Sequence, residues 1–195
     1  MEKVSIPGSN AFCPQTLYLY GTYREDGTPN YGLFCWCTYC AGTGGMKFVA
    51  CIGEDKLTRD LIRQNGVFSA TVVTQPLLQA ADWCGTHPGY QFEKAQAVPS
   101  AIGAKLNVPV PVDGVWTLEL RVVETLHLQT CTDSEIYICS IENVLADPQL
   151  VSDTLSFEEK LAQMHPLVTM NCQYVPVNPV TLGGWGEMNK QLPSV

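Results

Sequence analysis

Residues 23–42 read YREDGTPNYGLFCWCTYCAG, and this stretch is the most informative part of the sequence for fold and function. It begins with a turn over residues 25–28, in which Asp26-Gly27 supplies the positive φ that a tight hairpin needs. A short buried strand follows, and then a dense patch of cysteine, aromatic and glycine residues. Three interpretations of this patch stay open: backbone amides that hold a flat redox cofactor, a thiol metal site, or an ordinary strand end.

The composition indicates one globular domain and excludes some partners. The chain has 195 residues, 46% hydrophobic and 15% charged, which is enough to bury a full core and apolar enough to favour a homo-oligomer. It has 11 basic and 19 acidic residues, a net charge of −8. Because phosphate binding needs a basic face, we expect neither nucleic acid nor an anionic membrane surface as partner.

The sequence predicts a cytoplasmic protein with free thiols. No run of apolar residues is long enough to span a bilayer, and the first residues, MEKVSIPGSNAF, lack the apolar core of a signal peptide. The nine cysteines are odd in number and unevenly spread, in a chain large enough to fold without disulfides. Such cysteines are typical of a reducing compartment.

Hydrophobic periodicity predicts many short strands and few helices. Strands are expected over residues 16–22, 31–37, 47–52, 68–73, 116–122 and 136–144. Helices are expected over residues 56–64, 76–81 and 157–164, with an irregular tail over residues 178–195. For the first helix, Asp55 is the predicted N-cap and Asn65-Gly66 the end.

This order of elements predicts a mainly β fold, a β-barrel with short helical insertions. There is no βαβ rhythm, no GxGxxG and no P-loop pattern, which argues against a dinucleotide-binding domain of the Rossmann type.

Five segments together carry a family resemblance. They are GTYREDGTPNYGLFCWCTYCAG, KLTRDLI, AADWCGTHPGYQFEKA, HPLVTMNCQYVPV and LGGWGEM. In this order and spacing the chain resembles the flavin reductase-like family, and within it the flavoredoxin branch, from about Phe12 to Glu187. The resemblance implies a single domain over residues 1–195 with the FMN-binding split-barrel fold. It also implies a homodimer that binds FMN non-covalently near the subunit interface, and electron transfer from NAD(P)H or a redox protein donor through the flavin.

The resemblance assigns flavin contacts to Trp36, Cys37, Thr38 and Tyr39. The isoalloxazine ring needs a flat apolar wall and amide donors, because reduction places negative charge along its pyrimidine edge. The end of a strand entering a loop of small residues offers such amides.

A metal site in the same patch would use Cys35, Cys37 and Cys40. Their C-x-C-x2-C spacing lacks a second CxxC or a pair of histidines, so no metal is predicted.

Lys56 and Thr58 are predicted to bind the phosphate of FMN. They lie in the first turn of the expected helix, where free N–H groups and the helix dipole favour an anion. A lone K-x-T would more often be a solvated lysine and a surface threonine, and here the surrounding motifs favour the functional interpretation. Arg59 is a weaker candidate.

The segment from Asp82 to Lys94 is predicted to form a shaped loop near the cofactor. In the family a similar C-G-T stretch carries Ser where this chain has Pro88, and an Arg-Asp pair where it has Tyr90-Gln91. Lys94 matches the lysine that closes the motif, and the resemblance places its charge near the pyrimidine edge or the phosphate. Because this chain lacks that arginine, the resemblance does not imply a contact to a nicotinamide phosphate.

Four more residues are assigned with less support. His87 is a candidate hydrogen-bond donor to flavin or substrate, although a lone loop histidine is more often simply exposed. Trp185 is a candidate shield of the cofactor towards a partner subunit. Trp83 is expected in the core, and His165 at a helix cap or an interface.

Three function classes follow. The favoured one is an FMN-dependent oxidoreductase, either an NAD(P)H:flavin reductase or a flavoredoxin-like electron carrier. The others are a non-catalytic flavin- or haem-binding barrel and a thiol-metal protein. No catalytic residue is assigned, because a flavin supplies the chemistry without a protein acid or base.

Overall fold

The computed structural model describes residues 3–127, 129–130, 133–185 and 187. The strands are β1 (Gln15–Thr16), β2 (Tyr18–Tyr23), β3 (Pro29–Phe34), β4 (Cys37–Gly42), β5 (Gly45–Gly53), β6 (Val67–Val72), β7 (Ser100–Ile102), β8 (Pro109–Pro111), β9 (Trp116–Leu126), β10 (Ser134–Ala146), β11 (Leu167–Met170) and β12 (Gln173–Pro176). The helices are α1 (Leu57–Asn65), α2 (Leu78–Thr86) and α3 (Phe157–Met164).

Seven strands form one antiparallel sheet in the order β3-β2-β6-β9-β10-β5-β4. The sheet curls, because side chains from strands far apart in this order meet inside it. The ring centroids of Tyr20 on β2 and Phe48 on β5 lie 6.1 Å apart. The described parts of β3 and β4 are its two edges and do not pair with each other, so the barrel stays open there. The expected mainly β split barrel with short helical insertions is confirmed.

The interior of the barrel is filled by the inward side chains of five strands and one helix. They are Tyr18, Tyr20, Phe48, Ala50, Ile52, Ile62, Phe68, Ala70, Val72, Leu118, Leu120, Tyr137 and Cys139. Register shifts between β9 and β10 mark irregularities of the kind that bend long strands enough to close such a barrel.

The strand β2 is buried on both faces. Its inner face lies in the barrel, while Leu19 and the preceding Leu17 join a second cluster with Tyr31, Ala81 and Cys84. This cluster lies under α2, which packs against β3. A strand covered on both sides reads as a continuous apolar run rather than an alternation, which is how residues 17–20 read.

Two local turn predictions are confirmed. Gly27 has a φ of 81° in the turn between β2 and β3, and Gly66 has a φ of 68° at the end of α1. The predicted capping role of His165 is also confirmed, because it is the left-handed C-cap of α3. The Ser156 side chain and Glu159 form a capping box at the start of that helix.

Three boundary predictions were wrong. The strand expected over residues 31–37 ends at Phe34, because the chain leaves β2 there and crosses to pair with β5 as β4. The short helix expected over residues 76–81 runs from Leu78 to Thr86, so it includes the start of the predicted loop. Asp55 is not the N-cap of α1; it has a φ of 57°, and the extended N-cap is Lys56.

None of the helices in the described residues is long and apolar enough to cross a bilayer. The predicted irregular tail has neither helix nor strand over residues 178–185, while Gly186 and residues 188–195 lie outside the described residues.

Candidate functional site

A cleft of about 390 Å³ lies between the start of α1, the end of β3 and the segment that follows α2. Four of the predicted site residues line it together, namely Lys56, Thr58, His87 and Lys94. The rest of the lining consists of Gly32, Leu33, Phe34, Asp55, Leu57, Cys84, Gly85, Thr86, Pro88, Gly89, Tyr90 and Gln91. Predictions from two separate segments of sequence, residues 56–58 and 82–94, therefore converge on one cavity.

The start of α1 offers hydrogen-bond donors to this cleft. The N-cap Lys56 makes no side-chain cap bond, and no described group accepts a hydrogen bond from the backbone N–H of Leu57 or Thr58. The first N–H groups of a helix need partners from outside it, and the helix dipole makes this end positive. With the Lys56 ammonium beside them, these groups suit an anion.

Thr58 is held in place beneath the cleft. It is 3% exposed, and its Oγ1 accepts a hydrogen bond from Nδ2 of Asn30 at 3.0 Å. A Cβ at Gly32 would lie 2.9 Å from the same Oγ1, so β3 can approach Thr58 this closely only with a glycine. Sequence reasoning missed Asn30 and Gly32. The sequence feature that could have indicated Asn30 is a polar residue in a strand whose other residues suit burial, because a buried amide needs hydrogen-bond partners.

Lys94 is a buried cation at the cleft. It is 4% exposed, and its Nζ donates to the carbonyl oxygens of Tyr31 at 2.7 Å and Cys84 at 2.6 Å. Among the described residues no carboxylate lies within 4.0 Å of this nitrogen. Burial lowers the pKa of Lys94; Cys84 opposes this, and the charges of Lys56 and Arg24 add to it. An anion in the cleft would compensate this buried charge.

His87 belongs to an aromatic group rather than to a free loop. Its ring stacks on Trp83 with centroids 4.4 Å apart, and its Nδ1 lies 2.9 Å from the Trp83 carbonyl oxygen. Phe92 meets both rings edge-on. A hydrogen bond from Nδ1–H to that carbonyl leaves Nε2 as the ring acceptor. Trp83 packs partly against the second core cluster, in line with its expected core role.

The segment after α2 is tied to the rest of the cleft by two contacts. The Arg24 guanidinium donates to the Gly89 carbonyl oxygen at 2.6 Å, and the Tyr90 hydroxyl donates to the Asp60 carboxylate on α1. Tyr90 thus spans from this segment to the first turn of α1.

The predicted ring contacts Trp36, Cys37 and Thr38 line a second cleft, also of about 390 Å³. It includes the outer face of β4, β5 and β10, with Val49, Cys51 and Ile136, together with residues 14–16 and Cys35. Phe34 lines the first cleft and Cys35 the second, so consecutive residues of the chain belong to the two cavities.

Tyr39 and Trp185 lie outside both clefts. The Tyr39 ring packs edge-on against Phe48, with centroids 5.3 Å apart, and its hydroxyl lies 2.6 Å from that of Tyr18. The predicted flavin contact of Tyr39 therefore has no support from the single chain. Trp185 is fully exposed, and its shielding role stays a prediction.

Burial raises the pKa of three cysteines that line the two clefts. Burial raises the pKa of Cys37 to about 11, and burial also raises that of Cys84 to about 11 although Lys94 lowers it in part. Burial raises the pKa of Cys35 as well. All eight cysteines of the described residues are free, and Cys131 lies outside them. The described residues contain no group of three or more His, Cys, Asp or Glu side chains placed to hold a metal ion.

Comparison with known proteins identifies the family of this chain. The flavin reductase like domain matches residues 10–177. No curated protein matches the chain.

Solved structures share the fold. The flavoredoxin from Methanosarcina acetivorans is similar with a TM-score of 0.85 and 22% identity, over 99% of this chain and 100% of that one. The flavoredoxin of Desulfovibrio vulgaris (Miyazaki F) has a TM-score of 0.83 and 18% identity, over 96% and 100%. An FMN-binding protein from Thermus thermophilus has a TM-score of 0.75 and 18% identity, over 94% and 98%. With the family model matching most of its length, the chain belongs to the flavin reductase-like family.

Proposed function

We propose that this protein is an FMN-binding flavoprotein oxidoreductase that passes electrons from NAD(P)H or a redox protein donor through the flavin to an acceptor. The observation that carries the proposal is the first cleft, where the start of α1 and the buried, uncompensated Lys94 face one cavity. Family membership supports flavin as the cofactor. The similarity to an FMN-binding protein supports FMN as its form.

The donors at the start of α1 fit a phosphate dianion. The N–H groups of Leu57 and Thr58, the Lys56 ammonium and the Thr58 hydroxyl are all able to donate, and a phosphate offers only acceptors. Of the described residues, one carboxylate, that of Asp55, lines the cleft, against the two cations Lys56 and Lys94. This local excess of positive charge contrasts with the chain's net charge of −8.

Lys94 and His87 have different roles at the cavity. Lys94 cannot leave its two carbonyl partners without breaking two hydrogen bonds, so it holds a fixed positive charge. A fixed charge in a water-poor site stabilises negative charge that develops on a bound group. His87, stacked on Trp83, presents a rigid aromatic edge that orients a flat ligand. Trp36 offers an exposed apolar surface at the neighbouring cleft.

FMN, when bound, supplies the chemistry, because it accepts a hydride or single electrons and releases them to an acceptor. The residues of the chain bind it, orient it and exclude water from it. No side chain has to act as a general acid or base towards carbon. The thiols of Cys37 and Cys84 stay protonated at neutral pH, because burial raises their pKa values.

We also propose a homodimer in the cytoplasm. Large apolar side chains are exposed along β4, β5 and the link before them: Trp36 at 54%, Met46 at 61% and Tyr39 at 43%. A second copy of the chain would cover such a surface. The free thiols of the described cysteines agree with a reducing compartment.

The test is the absorption spectrum and the donor preference of the purified protein. A yellow protein that releases FMN on denaturation supports the proposal, and the double variant Lys56→Ala with Thr58→Ala should lose FMN. The control is Lys105→Ala, which removes an exposed lysine that lines neither cleft.

Anaerobic titration with NADH, NADPH and a reduced ferredoxin then identifies the electron donor. A protein that takes up no flavin would contradict the proposal. One that binds FMN and accepts electrons from no donor would be a non-catalytic flavin binder.

A further inference from the structure

Asn30 is a fully buried polar residue whose side-chain amide oxygen makes no hydrogen bond with the described residues. It lies on β3 with no exposed surface, and its Nδ2 donates to Thr58 Oγ1 at 3.0 Å. Its Oδ1 has no hydrogen-bond partner among the described residues. Burying an unpaired amide oxygen is unfavourable, so a residue that does so needs a reason beyond packing.

The hydrogen bond from Asn30 fixes what the Thr58 hydroxyl can do. A hydroxyl has one donor and two acceptor positions, and the Asn30 N–H occupies one acceptor position. The hydroxyl hydrogen is therefore left to donate elsewhere, and no described group accepts it. Thr58 lines the first cleft, so this hydrogen is available to an acceptor there.

The opposite orientation of the Asn30 amide is less favourable. With Nδ2 facing Thr58, one amide N–H of Asn30 has a partner; with Oδ1 facing Thr58, neither N–H could donate to Thr58. Orphaned N–H groups are rarer in proteins than under-satisfied carbonyl groups. The orientation that makes Thr58 a donor towards the cleft is thus also the one with fewer unpaired donors.

Close backbone contacts hold this pair in position. A Cβ at Gly89 would lie 2.6 Å from Asn30 Oδ1, and one at Gly32 would lie 2.9 Å from Thr58 Oγ1. The backbone at Gly89 and at Gly32 therefore lies so close to this pair of side chains that only glycine fits at either position. Gly89 is itself held by the hydrogen bond from Arg24.

We infer that Asn30 is a positioning residue, which directs the Thr58 hydroxyl to donate to the phosphate of the nucleotide flavin. The inference rests on the proposed function, since it needs a phosphate at the start of α1. Asn30 acts through Thr58 and not by touching the ligand. It should therefore matter for FMN and not for riboflavin, which has the same ring and no phosphate.

The experiment compares FMN and riboflavin affinities in a double-mutant cycle. Asn30→Leu keeps a similar volume and removes the donor, and Thr58→Ala removes the hydroxyl. Each single variant should weaken FMN binding about 10- to 100-fold, the worth of a hydrogen bond to a charged group. Riboflavin affinity should stay within about threefold. The double variant should bind FMN no more weakly than Thr58→Ala alone.

Thr58→Ser is the matched control, because it keeps the hydroxyl. In that background Asn30→Leu should still weaken FMN binding. Equal losses for FMN and riboflavin would show a merely structural role and overturn the inference. Additive losses would also overturn it, because Asn30 would then act independently of Thr58. A wild-type protein that binds FMN no better than riboflavin would overturn the phosphate site itself.

Discussion

The hydroxyl of Tyr18 on β2 lies 2.6 Å from the hydroxyl of Tyr39 on β4, although these strands lie far apart in the order of the sheet. Tyr39→Phe should therefore destabilise the protein by about 1–3 kcal/mol, because it leaves the Tyr18 hydroxyl, on a residue only 3% exposed, without its partner. Urea unfolding measures this change. Tyr23→Phe is the control, since the Tyr23 hydroxyl bonds to none of the described residues; equal effects of both variants would contradict the prediction.

The Glu119 carboxylate holds the segment between β7 and β8. It accepts hydrogen bonds from the N–H groups of Ala104, Lys105 and Leu106 at 2.8, 2.8 and 2.6 Å, and from Asn143 at 3.0 Å. Burial alone would raise the pKa of Glu119, but these hydrogen bonds outweigh it and the pKa is lowered. Glu119→Gln should cost about 3 kcal/mol, because an amide cannot replace the charged acceptor.

The same carboxylate gives a pH dependence of stability. Because its pKa is lower in the folded protein, its contribution is complete above the ordinary glutamate value of 4.5 and is lost as the pH falls through the lower folded value. The free energy of unfolding of the wild type should decrease below about pH 4.5, and Glu119→Gln should reduce this slope. Parallel slopes in the two proteins would count against the assignment.

Lys94 should raise the reduction potential of bound flavin. Lys94→Met removes a buried positive charge at the cleft, so the reduced and more negative cofactor loses stabilisation relative to the oxidised one. A loss of about 1.4 kcal/mol corresponds to roughly 30 mV for a two-electron couple. Spectroelectrochemical titration should show this negative shift, and Lys105→Met should show none. A potential unchanged in Lys94→Met would place the flavin away from this charge.

Gly89→Ala should displace the segment after α2. The new Cβ would meet Asn30 Oδ1 at 2.6 Å and Leu57 Cβ at 3.1 Å, which are side-chain atoms of residues on β3 and α1. We expect a loss of about 1–3 kcal/mol in stability, together with weaker flavin binding. Gly53→Ala is the control, because its nearest contact would be at 3.8 Å. Thermal denaturation and flavin titration of both variants decide the point.

Iodoacetamide should modify the exposed cysteines of the folded protein and leave the buried cysteines unmodified. Cys13, Cys40 and Cys172 are exposed, while Cys84 and Cys139 are buried with pKa values raised by burial to about 11 and about 12. Since the thiolate is the reacting form, the buried pair should stay unmodified in the folded protein at pH 7.5. Peptide mass spectrometry reads the result, with the urea-unfolded protein as control. Rapid alkylation of Cys84 without urea would mean that the cleft opens.

Local signals in the sequence predicted the features that depend only on neighbouring residues. Gly27 and Gly66 adopt the positive φ expected of them, because a turn and a helix end are decided within a few residues. The strand β4 was missed because its six residues become a strand only by pairing with β5. Cys37 and Tyr39 pack towards the barrel interior, but most of β4 is exposed, so no burial pattern marks this strand in the sequence.

The sequence indicated three residues that line the candidate cleft, but not the groups that hold these residues in place. Lys56, Thr58 and Lys94, which motif order indicated, line one cleft, and their binding of a flavin stays a prediction. Asn30 was missed because its role depends on α1, which lies 28 residues further along the chain at Thr58. The Lys94 partners, two backbone carbonyl groups, have no side-chain signature in the sequence.

The link Cys35-Trp36 joins strands at opposite edges of the sheet. Three Cα-to-Cα steps separate Phe34 from Cys37, so the chain can span at most about 11 Å there. The length of the link thus limits the gap between the two edges of the barrel, where the two clefts adjoin. Selection on this link should therefore act on its length more strictly than on its residues: a substitution changes the lining of one cavity, whereas an insertion lets the two edges move apart.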